Sequence, residues 1–227
     1  MSLYYHIQSL FYTLLKRDKR YSYYRTLRNN LSLSREQIIK GQNSNLKELV
    51  MHAYHNTRYY RELMDALEIM PEDINTSADL HKLPILTKQL IKENFDKLKS
   101  NDSYGIGMSK VTSGGSTGEL GIIYRSKYFE AMSRASWLRN NSMVGWMPED
   151  KVVWMWTSPT EHVSYLNGLK VRFGMWLNRR MFLNAFNYSK SDFLLWFNKI
   201  KKFKPKVIFG NPSIILEFSE FLLDNNL

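Results

Sequence analysis

Glycines and hydroxyls are concentrated in one segment of this 227-residue chain, Lys110-Val111-Thr112-Ser113-Gly114-Gly115-Ser116-Thr117-Gly118-Glu119-Leu120. Consecutive glycines let backbone N–H groups approach an anion closely. Ser113, Ser116 and Thr117 add hydroxyl donors, so the segment can wrap a polyphosphate with neutral groups. It is not a Walker A loop, because Glu119 stands directly after Gly118 and the Gly-Lys-Ser/Thr ending is missing. Composition alone also fits a flexible Gly/Ser surface loop. The apolar run that follows favours the anion-binding reading.

Two further segments could bear chemistry. In Lys204-Pro205-Lys206-Val207-Ile208-Phe209-Gly210-Asn211-Pro212-Ser213 an apolar strand ends in glycine and Pro-Ser starts a helix. Ligands of open α/β sheets collect at the carboxyl ends of strands, and a helix start offers free N–H groups to an anion. A plain strand-to-helix turn explains the same residues. Trp154-Met155-Trp156-Thr157-Ser158-Pro159-Thr160-Glu161-His162 is a strand end with a polar loop, in which His162 either shapes a pocket or is an ordinary hydrogen-bonded side chain. His52, His55 and His81 lack carboxylates at metal-ligand spacing, so no metal site is expected. Ser113 and Ser116 have no Gly-x-Ser-x-Gly frame for hydrolase chemistry.

Composition narrows the classes. There is no cysteine, which excludes a disulfide scaffold, a zinc–thiolate site and a thiol nucleophile. Lys and Arg number 32 against 21 Asp and Glu, a net charge of +11. The basic excess lies in residues 1–50 and 111–227, and no nucleic-acid docking motif accompanies it. No apolar stretch approaches the ~20 residues that span a bilayer. The N-terminal apolar run precedes its basic cluster, the reverse of a secretory signal. A cytoplasmic location is expected, with contact at the inner membrane face as an option.

The elements that must position these segments follow from periodicity. Residues 1–35 read as one or two basic amphipathic helices, with Leu3, Ile7, Leu10, Phe11, Leu14 and Leu15 on one face. This face either packs on its own domain or serves as an interfacial membrane anchor, with Tyr21, Tyr23 and Tyr24 beside it. Leu46, Leu49, Val50 and Ala53 mark a second helix, and Tyr60, Leu63, Met64 and Leu67 a third. Thr76-x-x-Asp79 and Ser189-x-x-Asp192 are capping boxes, and Thr87 caps a helix to about Leu98. From residue 105 six of the eleven glycines fall within seventeen residues. Strands at Leu120–Tyr124, Val152–Trp156, Arg180–Leu183 and Val207–Phe209 then alternate with helices at about 129–142, 189–203 and 213–223. This predicts an α/β fold with a largely parallel sheet and a helical N-terminal cap. The expected division is a basic helical segment, 1–45, and an α/β domain, 46–227.

Taken in order, these segments resemble the adenylate-forming (AMP-forming) ligase superfamily. Residues 112–119 resemble its Thr-Ser-Gly-Ser/Thr-Thr-Gly-Lys phosphate signature. The Gly-Gly variant with Glu119 is similar to the branch holding phenylacetate–coenzyme A ligase and the capsular-polysaccharide, CapK-like proteins. Asn56–Glu62, Leu83–Lys88 and Lys204–Ser213 resemble three further stretches of that branch, so the likeness runs from about Leu46 to Leu223. It implies ATP-dependent formation of an acyl-adenylate, then transfer to a thiol, often coenzyme A, with Mg²⁺ assisting. It implies a phosphate cradle at Thr112, Ser113, Gly114, Gly115, Ser116, Thr117 and Gly118. It also implies an acyl/adenine pocket at His162, Gly210, Pro212 and Ser213. Glu119 replaces the superfamily's lysine, which removes one positive contact to phosphate. The superfamily's Tyr-Gly-x-Thr-Glu segment, ribose-binding aspartate and mobile domain with its catalytic lysine have no counterpart here. The expectation is therefore an N-terminal fragment of such a ligase, inactive alone, with weak ATP binding and a tendency to self-associate. The alternative is a non-catalytic, membrane-associated factor in polysaccharide biosynthesis. No nucleic-acid partner is expected.

Overall fold

A computed structural model describes residues 2–101, 108–112, 122–156, 168–186 and 188–227. Helices α1 (Leu3–Leu10), α2 (Arg20–Asn29), α3 (Arg35–Asn56), α4 (Arg58–Ala66) and α5 (Lys88–Glu93) come first. The hairpin β1 (Ser109–Thr112) and β2 (Ile122–Arg125) follows, then α6 (Lys127–Met143). The remainder alternates as β3 (Val152–Trp156), α7 (Leu169–Leu177), β4 (Arg180–Asn184), α8 (Lys190–Phe203), β5 (Val207–Gly210) and α9 (Pro212–Asp224). The expected α/β architecture with a helical N-terminal part is present.

The chain forms two compact units, residues 1–17 with 136–227, and residues 18–135. The boundary falls inside α6.

The first unit is built on a parallel sheet with strand order β4-β3-β5. Parallel strands bury both faces. On one face Val153, Met155, Leu183 and Ala185 pack against Phe193 and Trp196 of α8 and Ile214 and Phe218 of α9. On the other, Trp154 and Phe209 meet Trp137 of α6, with ring centroids 5.6 Å apart in both pairs. The Arg180 guanidinium lies 5.5 Å from the Trp154 centroid and 5.6 Å from that of Trp137, a cation–π arrangement. Ser189 and Asp192 form the expected capping box at the start of α8. Lys204, at φ 53°, ends that helix in the left-handed conformation before Pro205.

The second unit is mostly helical. Val50, Met64 and Ile74 form its core with Leu46, Tyr54, Ile69 and Leu83. Tyr21 and Tyr24 are buried. Asp18 accepts from Arg20 and lies 3.0 Å from Arg134. Burial alone would raise the Asp18 carboxyl pKa, but those hydrogen bonds and charges more than offset it and hold the pKa below its ordinary value.

Three expectations needed revision. Helix α5 ends at Glu93 rather than near Leu98. The Asn94 side chain bonds back to the Leu90 carbonyl at 3.1 Å, and the chain then turns so that Lys97 accepts from the Tyr59 N–H at 3.0 Å. The strand after the glycine segment is Ile122–Arg125, and it pairs antiparallel with β1 rather than joining the parallel sheet. Helix α7 was not foreseen.

Candidate functional site

The glycine segment is anchored at both ends. In the β1–β2 ladder Ser109 pairs with Arg125, Lys110 with Tyr124, Val111 with Ile123 and Thr112 with Ile122. The last pair sets Thr112 and Ile122, which flank the Gly/Ser segment, side by side at the ~5 Å spacing of paired antiparallel residues. Ser113, Gly114, Gly115, Ser116, Thr117 and Gly118 lie outside the described residues, as does the Thr112 side chain. What the fold provides is their mounting.

That mounting is well braced. The Ser109 hydroxyl donates to the Glu130 carboxylate at 2.6 Å, tying β1 to the first turn of α6. Ser126 accepts from the Phe129 N–H at 3.0 Å, which caps α6 directly after β2 as its sequence position suggested. The Tyr124 ring lies 5.5 Å from Phe95, and Lys99 Nζ stands 5.6 Å from the Tyr124 centroid. Backbone pairing, a helix cap and ring contacts thus fix the hairpin strands that flank the Gly/Ser segment.

The second candidate lies in the other unit, at the carboxyl end of the parallel sheet. The three strands run in one direction, so Trp156, Asn184 and Gly210 share that end. Gly210 is required there for space. A Cβ on it would meet the Met155 carbonyl oxygen at 2.8 Å, Met155 Cβ at 2.9 Å and Ile215 Cγ1 at 3.1 Å. Asn211 then caps α9, its Oδ1 accepting from the Ser213 N–H at 3.1 Å, with Pro212 in the first helical turn. Pro212 and Ser213 are exposed beside it. One of the free N–H groups of this helix start is thus already taken by Asn211. At the same end of the sheet the Trp156 ring is centred 6.3 Å from that of Trp154. His162 lies outside the described residues.

Among the described residues no group of three or more His, Asp or Glu side chains could hold a metal ion. His52 contacts the Asn56 amide at 3.2 Å and His81 the Ala78 carbonyl at 2.6 Å, both local bonds. Sequence reasoning missed the bracing pair Ser109 and Glu130, since a Ser and a Glu 21 residues apart carry no local signal. It also missed β1, whose residues Ser-Lys-Val-Thr alternate only weakly.

No family profile matches the chain. The chain is 23% identical over 208 residues to Protein CapK of Staphylococcus aureus, covering 84% of this chain and 41% of that protein. It is 27% identical over 191 residues to phenylacetate–coenzyme A ligase of Escherichia coli strain K12, covering 80% and 40% respectively. Among solved structures it resembles 2-hydroxyisobutyryl-CoA ligase in complex with 2-HIB-AMP and CoA, in the thioesterification state. That match has a TM-score of 0.55 and 15% identity, and covers 86% of this chain and 42% of the ligase. The chain spans about two fifths of the length of these proteins. In sequence the chain is thus similar to CapK and to phenylacetate–coenzyme A ligases, and its fold is that of part of the 2-hydroxyisobutyryl-CoA ligase chain.

Proposed function

We propose that this chain supplies the triphosphate-holding part of an AMP-forming carboxylate–coenzyme A ligase. The observation that supports the reading is the antiparallel pairing of Thr112 with Ile122, the described residues that flank the Gly/Ser segment. The sequence there is one that wraps polyphosphate with backbone N–H and hydroxyl groups.

In this reading Thr112, Ser113, Gly114, Gly115, Ser116, Thr117 and Gly118 grip the β- and γ-phosphates of ATP. Mg²⁺ arrives with the nucleotide and neutralises part of its charge. A carboxylate oxygen attacks the α-phosphorus, the bond to the bridging oxygen breaks, and pyrophosphate leaves with the electron pair. The loop's donors stabilise the charge that develops on that leaving group. A thiolate such as that of coenzyme A then attacks the acyl carbon, forming the thioester and expelling AMP. Gly210, Pro212, Ser213 and His162 line the acyl and adenine side, which accords with ligand placement at strand carboxyl ends. Residues 46–227 act as the partial adenylate-forming domain, preceded by the basic amphipathic helical segment 1–45.

The test is calorimetric titration of Mg·ATP and of pyrophosphate into the 227-residue chain and into its Ser116→Ala/Thr117→Ala variant. Weak saturable binding of both ligands is expected, with a clear loss in the variant. Binding that ignores the two substitutions removes the cradle.

A second reading is a non-catalytic, membrane-associated role in polysaccharide biosynthesis, at the inner membrane face. It is favoured by the exposed apolar side chains of α1, Leu3, Ile7 and Leu10. No described helix is long and apolar enough to cross a membrane. Self-association through the same side chains is the competing outcome.

A further inference from the structure

Burial on α1 is inverted relative to its composition. Leu3, Ile7 and Leu10 recur at i, i+4 and i+7, and Leu14 continues the stripe through the π-helical turn Phe11–Leu15. All four are exposed, Leu3 at 78% and Leu14 at 64%. The opposite side buries Tyr5 and a polar residue, Gln8. The Gln8 amide donates to the carbonyls of Leu177 at 2.8 Å and Pro148 at 3.3 Å. These bonds satisfy the buried amide and fix the orientation of the helix. An amphipathic helix ordinarily buries its apolar stripe, and here that stripe is held outward.

Helix α7 repeats the pattern. Leu169, Phe173 and Trp176 also recur at i, i+4 and i+7, with Leu169 83% and Trp176 63% exposed, while Leu177 is buried. The two stripes adjoin. Tyr4 meets Trp176 edge-on at 6.3 Å, and Phe11 meets Phe173 at 5.6 Å. The Tyr4 hydroxyl donates to the Trp176 carbonyl at 2.8 Å, and the Tyr12 hydroxyl accepts from the Asn178 amide at 2.8 Å. The result is one apolar face across two helices of a single compact unit. Monomeric proteins rarely leave so large a contiguous apolar patch uncovered.

Charge selects the occupant. The segments carrying the two stripes, residues 2–17 and 168–180, contain Lys16, Arg17, Lys170, Arg172, Arg179 and Arg180 and no acidic residue. Lys16, Arg17, Lys170 and Arg172 are exposed. A second copy of the face would bring these cations together, which opposes association. An anionic bilayer complements the apolar stripes and the exposed cations Lys16, Arg17, Lys170 and Arg172. Leucines and phenylalanine enter the acyl boundary, Trp176 and Tyr4 suit the headgroup layer, and the cations meet lipid phosphates. We infer that the α1–α7 face is a peripheral docking surface for an anionic membrane. This deepens the membrane part of the proposed function and is independent of its carboxylate chemistry. It also narrows the contact, because Tyr21 and Tyr24 of α2 are buried.

The experiment is flotation of the 227-residue chain with vesicles of phosphatidylcholine alone or with added phosphatidylglycerol. Three paired variants are compared, Ile7→Glu/Leu10→Glu, Leu169→Glu/Trp176→Glu and Lys16→Glu/Lys170→Glu, with Leu49→Glu, an exposed site on α3, as control. Circular dichroism checks each fold, and the charge-reversal pair, which leaves the apolar residues intact, stands in for any pair that misfolds. The wild type should float with phosphatidylglycerol vesicles, and each pair should lose about tenfold or more in partitioning, the control none. Absence of wild-type flotation overturns the inference. So does flotation that survives the α7 pair but not the α1 pair, an outcome that leaves contact through the N-terminal segment alone. Light scattering in which the apolar pairs turn a dimer into a monomer, without wild-type flotation, assigns the face to a second copy instead.

Discussion

Gly210 illustrates how a single residue can be fixed by the space around it. The Met155 carbonyl oxygen lies 2.8 Å from where a Cβ would stand. That oxygen belongs to the central strand of the sheet and cannot yield without disturbing the β3–β5 ladder. Gly210→Ala should therefore destabilise the protein by about 1–3 kcal/mol, the usual penalty of overpacking. Urea unfolding measures it, and an unchanged midpoint would show that β5 can shift freely. One residue on, Asn211→Ala should cost about 0.5–2 kcal/mol by removing the cap of α9. In contrast, Ser116→Ala and Thr117→Ala should leave the thermal midpoint almost unmoved if their hydroxyls serve phosphate rather than the fold. An early melt for either would assign that hydroxyl to structure. The type and order of the residues made the strand-end turn at Gly210–Ser213 legible. The steric need for Gly210 was not legible, because it arises from Met155 and Ile215, one of them 55 positions away in the chain.

At the scale of elements, capping explains most of what could be read in advance. Asp79 accepts from the N–H groups of Thr76 at 2.9 Å and Asn75 at 3.0 Å, and from the Thr76 hydroxyl at 3.0 Å. Those hydrogen bonds favour the ionised form and lower its pKa from 3.8 to about 2. A carboxyl depressed in the folded state contributes its stabilisation above the unfolded value and loses it as pH falls through the folded one. The stability gap between wild type and Asp79→Ala should thus be full at neutral pH, narrow from 3.8 downward and close near pH 2. Urea midpoints across that range check it, and a gap independent of pH would mean that the hydroxyl and backbone of Thr76 do the capping alone. The β3, β4 and β5 strands and helices α3, α6, α8 and α9 were legible because periodicity and end signals agree there. Strand β1 was not, since Ser109 and Lys110 are poor strand markers and its stability comes from β2. Helix α7 was obscured by Gly174 and by apolar residues on more than one side, which blurs a 3.6-residue period.

Across the whole molecule, alternation of strands and helices sufficed to indicate the α/β class, and the ordered set of short motifs to indicate kinship with CapK and the phenylacetate–coenzyme A ligases. The sequence left two directions open for the apolar stripe of α1, inward onto its own domain or outward as an interfacial anchor, because periodicity locates an apolar face but not its direction. Here the direction is set by the contacts of Gln8 with Pro148 and Leu177, about 140 or more positions away in the chain. The central claim, that Thr112–Gly118 grips a nucleotide triphosphate, is tested most directly by amide chemical shifts in the ¹⁵N-labelled chain. Mg·ATP and pyrophosphate should both move the backbone resonances of residues 112–118, and AMP should not. Shifts that cluster away from that segment, or that AMP reproduces in full, would contradict the account.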